Sequence, residues 1–339
     1  MATGAADWGR DGRGETLLLA DVAQRYYLAD QTQEQIARSI GVSRSNVSRM
    51  LKEARRLGLV EIRIHHPLAV EPELQAALRE RFGLRECLVL APADSADATP
   101  SAERLGALAA RFLADRIGDG ATVGVGWGST VYHVVTSGHL RKRSGASVVQ
   151  MMGSVGGATP DIDGAQVAGR LGRALGAKVW YLHAPMVVAE PAVRSGLLRD
   201  QHIRRTLEMA RRASILLVSV GAVTQASGLY RAGYLNDADL EFIQAQGAVG
   251  DICGSYFRQD GSPCSLELEE RTIAVPAGVM READLRVGVG LGSAKALPSL
   301  GAVRAGLVNV LIIDGEAARE MLRIADSEAV AETAGARIA

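Results

Sequence analysis

The sequence predicts an α/β protein in two parts, a small helical module ahead of a doubly wound, mostly parallel sheet with crossover helices. Three observations predict it. Amphipathic segments with cap and turn residues follow one another closely between Glu15 and Gly58, short apolar runs alternate with helix-length stretches after residue 68, and glycine clusters follow several of those runs directly. The length of 339 residues agrees with about two domains at ~100–200 residues each. A content of 47% hydrophobic and 22% charged residues is that of a globular chain and excludes collagen-like or largely disordered classes.

Residues 1–14 lack periodicity and are expected to form a disordered tail. From Glu15, Leu18, Leu19, Val22, Ala23 and Tyr26 recur at helical spacing, which predicts a first helix ending near Asp30. Thr32 with Gln35 three residues on is a capping box for a second helix through Ile40, and Gly41 supplies the turn after it. Ser43 caps a third helix in which Val47, Met50, Leu51 and Ala54 face inward, ending at Gly58. Leu59 to His66 alternates apolar and polar residues as a strand does, and Pro67 closes it.

Beyond a connecting helix at 72–82, the predicted strands are Cys87–Leu90, Thr122–Gly126, Ser147–Met151, Lys178–Leu182, Ser214–Val220, Arg271–Val275, Arg286–Val289 and Val308–Ile313. Apolar strands alternating with helices indicate a parallel sheet buried on both faces, whose ligands sit at the carboxyl ends of the strands. The expected domains are 15–67, a winged three-helix unit, and 68–325, the α/β domain, followed by a C-terminal tail at 326–339.

The stretch from Gln33 to Leu51 has the spacing of a helix-turn-helix, with Ala37 small at the helix crossing and Gly41 at the turn. Arg44, Ser45, Asn46, Ser48 and Arg49 take the outward positions of its second helix and are residue types that bond bases and phosphates. Gln33, opening the preceding helix, and Ser43, at the cap, complete the candidate DNA contacts. Arg63, His65 and His66 fall on the following strand, the expected wing. Between Arg25 and His66 eight Lys or Arg face four Asp or Glu, a local excess of +4 in a chain of zero net charge, which points to nucleic acid.

Two segments of the larger domain echo each other: Val123-Gly-Val-Gly-Trp-Gly-Ser-Thr and Val287-Gly-Val-Gly-Leu-Gly-Ser-Ala-Lys. Each runs from strand through glycine turn into a helix start, where backbone N–H groups can meet an anion; tight turning alone would also use such glycines. A third glycine-rich segment spans Met152 to Ala158. The glycine spacing in Gly124-Val-Gly126-Trp127-Gly128 is one residue short of a dinucleotide fingerprint, the strand ending at Met151 lacks the acidic residue for a ribose, and no triphosphate-binding GKS/T loop occurs. Asp251, in a glycine-rich turn, suits either sugar hydroxyls or the turn itself. Lys295 suits phosphate or the surface, and Asp163 and Gln166 flank a helix start as capping residues do. The six histidines show no metal-ligand spacing, and Ser129, Ser154 and Ser293 stand outside any G-x-S-x-G elbow, so neither a metal site, a catalytic residue nor a cofactor is expected. Cys87, Cys253 and Cys264 read as buried small hydrophobes. The N-terminus has no signal-peptide pattern and no apolar run reaches the ~20 residues of a membrane span, so a cytoplasmic protein without membrane partners is expected.

Taken together, the Gln33–Leu51 helix-turn-helix, Gly-Val-Gly-Trp-Gly-Ser-Thr, Gly153-Ser-Val-Gly-Gly, Gly250-Asp251 with Asp260-Gly261, and Gly292-Ser-Ala-Lys295 resemble the SorC family of bacterial sugar-responsive transcriptional regulators, over about Thr16 to Leu322. The resemblance implies an effector domain similar in fold to phosphosugar isomerases and deaminases. It implies that Gly126, Trp127, Gly128, Ser129 and Thr130, with Gly153, Ser154, Gly156 and Gly157, hold a phosphate, that Asp251 meets sugar hydroxyls and that Lys295 meets the phosphate or a hydroxyl. Gln166 is counted with these effector residues. The implied partners are operator DNA, a phosphorylated sugar and further copies of the chain in a dimer or tetramer. The alternative is a phosphosugar isomerase or deaminase fused to a DNA-binding domain; the glycine loops offer no evident acid/base pair for it, though Asp251 alone could serve.

Overall fold

The structure is a computed structural model that describes residues 12–61, 68–93, 99–156, 162–265 and 267–336. Contacts divide the chain into two units, Met1–His65 and His66–Ala339.

In the first unit α1 (Gly12–Tyr27), α2 (Gln33–Ile40) and α3 (Arg44–Arg56) enclose a core of Leu19, Val22, Ile36, Ala37, Val47 and Leu51. Helix α1 starts three residues before the expected Glu15, inside the segment expected as a tail, and ends at Tyr27 rather than near Asp30, which takes a left-handed φ of 51°. The local signals act as the sequence implies. Gln35 donates its N–H to the Thr32 hydroxyl and returns a side-chain acceptor to the Thr32 N–H, 2.8 Å away. Gly41 leaves α2 at φ 72°, a conformation that costs a Cβ-free residue nothing. The wing residues Arg63, His65 and His66 lie outside the described residues.

The second unit is built on a seven-stranded, wholly parallel sheet. In chain order its strands are β1 (Glu86–Leu90), β2 (Thr122–Val125), β3 (Ser147–Gln150), β4 (Lys178–Trp180), β5 (Ile215–Ser219), then β9 (Leu285–Val289) and β10 (Val310–Asp314). They lie in the order β1-β10-β9-β5-β2-β3-β4. Between them in sequence, β6 (Gly221–Ala222), β7 (Ala248–Ile252) and β8 (Ser255–Arg258) form a separate antiparallel sheet. The helices are α4 (Pro72–Phe82), α5 (Ser101–Ala114), α6 (Ser129–Thr136), α7 (Gly164–Leu175), α8 (Pro191–Leu197), α9 (Gln201–Ala210), α10 (Gly228–Arg231), α11 (Asp237–Ala245), α12 (Glu267–Glu270), α13 (Ala277–Glu282), α14 (Ala296–Arg304) and α15 (Gly315–Ala336).

Alternation along the strands sends side chains to both faces. Ile215, Leu217, Val310 and Ile312 pack with Leu105, Val134 and Leu171 of α5, α6 and α7. Leu216, Val218, Leu311 and Ile313 pack with Leu78, Leu300 and Met321 of α4, α14 and α15. Covering both faces is what makes these strands uniformly apolar. All three cysteines are buried.

Two expectations are corrected. Arg271–Val275 is not a strand of the sheet but makes single bridges, Thr272 to Val187 and Ala274 to Met152; its apolar run reflects burial of Thr272, Ile273 and Val275. The expected tail from residue 326 belongs to α15, which continues to Ala336 and is tied by a two-oxygen pairing of Glu328 with Arg304 at 2.6 and 2.9 Å. The small antiparallel sheet is an addition that strand periodicity alone does not reveal, since its strands are only two, five and four residues long.

Candidate functional site

From β2 the chain steps outward to β3 and β4, then returns to β5 on the opposite flank of β2. The β2/β5 pair is therefore the switch point, where connections leave in opposite directions and open a crevice at the carboxyl ends. A cavity of ≈ 380 Å³ lies there. Its walls come from the turn after β2 (Gly126 to Ser129), from Ser219 at the end of β5, from Leu291, Ala294 and Lys295 after β9, from the β7–β8 hairpin (Asp251, Cys253, Tyr256), from the segment Gly221–Leu235, and from Met152 and Ile162 at the ends of the loop after β3.

The turn after β2 ends at Gly128, the N-cap of α6, with φ 124° and ψ 159°, backbone that a residue with Cβ rarely adopts. No side chain caps α6, so its first-turn N–H groups have no partner within the helix and face the cavity edge with the helix's partial positive charge. After β9, the short 3₁₀ helix Ser293–Lys295 also starts uncapped.

Asp251 reaches the cavity by hairpin geometry. The turn residues Cys253 and Gly254 have φ of 51° and 79°, the two positive values of a tight hairpin turn, which pairs Asp251 with Tyr256. The Asp251 carboxylate accepts from the Gly254 N–H at 3.0 Å and lies across β6, where a Cβ on Gly221 would stand 1.9 Å from it. The surrounding protein removes most of its water, and that burial pushes the carboxyl above its usual range, against the pull of the Gly254 N–H and of Lys295. Burial likewise lowers Lys295; the charge of Asp251 opposes the shift and that of Arg231 adds to it. Its Nζ donates to the carbonyl of Val220 at 2.8 Å. The Cys253 thiol is pushed up to about 12 by burial and then by Asp251, and the Tyr256 hydroxyl rises for the same two reasons. Both are neutral donors near pH 7. Glu269, which accepts from the Tyr256 N–H at 3.0 Å, is also raised by burial. The cavity thus combines two cations, one carboxylate, uncharged donors and an apolar side that includes Trp127 and Leu229.

Of the residues read from the sequence, the structure brings together Gly126, Trp127, Gly128, Ser129, Asp251 and Lys295. Thr130 is buried in the first turn of α6 and does not line the cavity. Met152 and Ile162, at the two ends of the loop after β3, line the cavity, but Gly153, Ser154 and Gly156 do not, and their N–H donors are already used. Gly153 N–H goes to the Ile273 carbonyl and Ser154 N–H to that of Ala184, while Val155 and Gly156 give theirs to Asp163, which also caps α7. Gln166, on the exposed side of α7, does not reach the cavity either. Gly157 lies outside the described residues. Sequence reasoning missed Arg231, Ser219, Cys253 and Tyr256 as cavity residues. Cys-Gly between two short alternating runs was the available hairpin signal for Tyr256; Arg231, at the end of the one-turn helix α10, had none.

Among the described residues no group of three or more His, Cys, Asp or Glu is placed to hold a metal, and no helix is long and apolar enough to cross a membrane.

In the first unit, Ser43 caps α3 by accepting the Asn46 N–H at 3.2 Å and shares a 2.9 Å hydrogen bond with Ser45. Arg49 donates to the Asn46 side-chain oxygen, holding the two side chains as a pair one turn apart. Arg44, Ser45 and Arg49 are exposed, while Gln33, Asn46 and Ser48 are half-buried.

Comparison with known proteins places both units. The Sugar-bind model, which describes a sugar-binding domain, matches residues 66–323, and a Crp-like helix-turn-helix domain matches residues 15–71. The deoxyribonucleoside regulator of Bacillus subtilis (strain 168) is 33% identical over 312 residues, 91% of this chain and 98% of the relative. The sorbitol operon regulator of Klebsiella pneumoniae is 28% identical over 313 residues, 90% of this chain and 98% of the relative. The crystal structure of that full-length regulator, SorC, matches with a TM-score of 0.67 at 26% identity, covering 91% of this chain and 99% of that one. A sugar-binding domain of a transcriptional repressor from Vibrio fischeri matches with a TM-score of 0.68 at 27% identity, covering 76% and 100%. These relatives are named as regulators and not as enzymes. On the joint match of both domains and of their order, the chain belongs to the SorC family of transcriptional regulators, with a helix-turn-helix DNA-binding domain ahead of a sugar-binding domain.

Proposed function

We propose that the protein is a cytoplasmic regulator of carbohydrate genes whose grip on operator DNA is set by a phosphorylated sugar bound in the ≈ 380 Å³ cavity. The observation that carries this reading is the convergence of Lys295, Arg231 and the uncapped start of α6 on one cavity that also holds the single carboxylate of Asp251. Clustered backbone donors and two cations suit a phosphate better than a neutral hydroxyl, and a carboxylate accepts hydroxyls of the sugar ring. The loop Gly153–Gly156, its N–H groups occupied, supports the site from outside rather than holding the phosphate.

On DNA, Arg44 and Asn46 read base edges, while Gln33, Ser43, Ser45, Ser48 and Arg49 position the helix on the backbone. The protein acts as a homo-oligomer, dimer or tetramer, because paired recognition helices double the contacts over two half-sites.

Thermal-shift measurements with a panel of pentose and hexose phosphates beside their unphosphorylated parents test the effector class, since a ligand of the folded state raises its stability by mass action. The expected result is a shift from a phosphorylated member and none from its parent. Equal shifts, or shifts from parents alone, overturn the phosphate assignment. Light scattering that shows only monomer, with and without operator, overturns the oligomer.

A further inference from the structure

The cavity's outer wall is a single piece of chain, from the end of β6 to the start of α11, and it supplies Thr224, Ser227, Leu229 and Arg231. Its helix α10 has four residues, one turn, too short to persist by its own hydrogen bonds. Tertiary contacts hold it. Leu229 and Leu235 are buried inward, Gly228 fits under the Trp127 ring where a Cβ would come within 2.3 Å, and the Ser227 hydroxyl accepts the Tyr230 N–H at 3.2 Å. These contacts anchor the first half of the turn. The second half, which displays Arg231 to the cavity, is tied from beyond the wall by Asp237, the first residue of α11. One oxygen of Asp237, Oδ1, accepts both the Tyr230 hydroxyl and the Gln225 side-chain amide, each at 2.8 Å. A single carboxylate therefore links three points of the wall, and its partners are both neutral, so the link depends on the acceptor oxygen and not on an ion pair.

We propose that Asp237 is a positioning residue of the effector site: through Tyr230 and Gln225 it holds the α10 turn so that Arg231 stays over the cavity beside Lys295. This rests on the phosphate reading for what Arg231 meets, but the latch itself is a property of the ligand-free protein. Charge-assisted hydrogen bonds from neutral donors are among the stronger ones and are lost together when the acceptor is removed.

Hydrogen exchange of the full chain, read on peptides spanning residues 228–235, and calorimetric titration with inorganic phosphate test it, with Asp237→Ala and Asp237→Asn compared. Asn keeps the accepting oxygen. Asp237→Ala is expected to speed exchange in that span by about tenfold and to weaken phosphate by about tenfold, with Asp237→Asn, which keeps an acceptor oxygen without the charge, between Ala and wild type in both. Exchange unchanged in Asp237→Ala overturns the latch whatever the effector is. Faster exchange with unaltered phosphate affinity overturns the positioning role, and an Asn variant as impaired as Ala overturns the acceptor mechanism. A wild type that binds no phosphate while Asp237→Ala still speeds exchange sinks the phosphate reading and supports the latch.

Discussion

Lys295 donates its ammonium group to the main-chain carbonyl of Val220 at 2.8 Å, joining the turn after β9 to the link between β5 and β6. The bond fixes a half-buried cation at the switch-point end of the sheet, where burial disfavours its charge, Asp251 steadies it and Arg231 weakens it.

Replacing Lys295 by Met keeps the length of the chain and removes both charge and donor. Leaving the Val220 carbonyl without its partner should cost about 1–3 kcal/mol of stability. Affinity for a phosphorylated effector should fall at least about tenfold, as loss of one charged hydrogen bond implies. Urea unfolding and effector titration of the same preparation check both figures; undiminished effector affinity would remove Lys295 from the site.

Asp251→Asn bears on pH dependence. Burial raises the folded-state pKa of Asp251, so between the unfolded carboxylate value and that higher folded value the native state holds more protons than the unfolded one. Stability contributed at this position is therefore full at the acid side and declines as pH rises through the folded pKa. The Asn variant lacks this loss. The stability of wild type relative to Asp251→Asn should fall as pH is raised from about 4 and then level off. Urea melts in parallel from acid to neutral pH measure it, and a relative stability that climbs with pH contradicts the assignment.

Gly153→Ala separates a structural glycine from one that binds. A Cβ there would stand 2.5 Å from the Pro185 carbonyl oxygen, backbone that cannot step aside easily. Overpacking of this kind costs about 1–3 kcal/mol. Since the Gly153 N–H already serves Ile273, the folded fraction should keep its effector affinity. Lower affinity at unchanged melting temperature would return this loop to the binding site.

At the DNA-reading helix, Arg44→Ala and Asn46→Ala should each cost about 1–3 kcal/mol of operator binding and relax the preference at one base pair. Ser43→Ala removes the cap on the Asn46 N–H and should cost about 1 kcal/mol of stability in the first unit. Competition assays with single-base operator variants distinguish the two kinds of loss; equal weakening on every variant would assign Arg44 and Asn46 to the phosphates instead.

The sequence by itself determined the elements whose causes are local. The Thr32–Gln35 capping box, the Gly41 turn and the Ser43 cap each act within a few residues, so α2 was legible to the residue and α3 at its start, although α3 ends at Arg56, short of the expected Gly58. Seven of the eight expected strands are in the parallel sheet, because burial on both faces leaves an apolar run that needs no knowledge of its neighbours. Only tertiary structure decided which glycine loop faces the cavity. The loops after β2 and β3 are both glycine-rich in sequence, yet the second spends its donors on Ala184, Ile273 and Asp163, two of which lie about 30 to 120 residues away. The same holds for Asp251 against Gly221, Lys295 on Val220 and Arg231 at the cavity wall. Such pairings come from strand order and helix placement, and a one-dimensional pattern records which residues are buried but not which distant group each one meets.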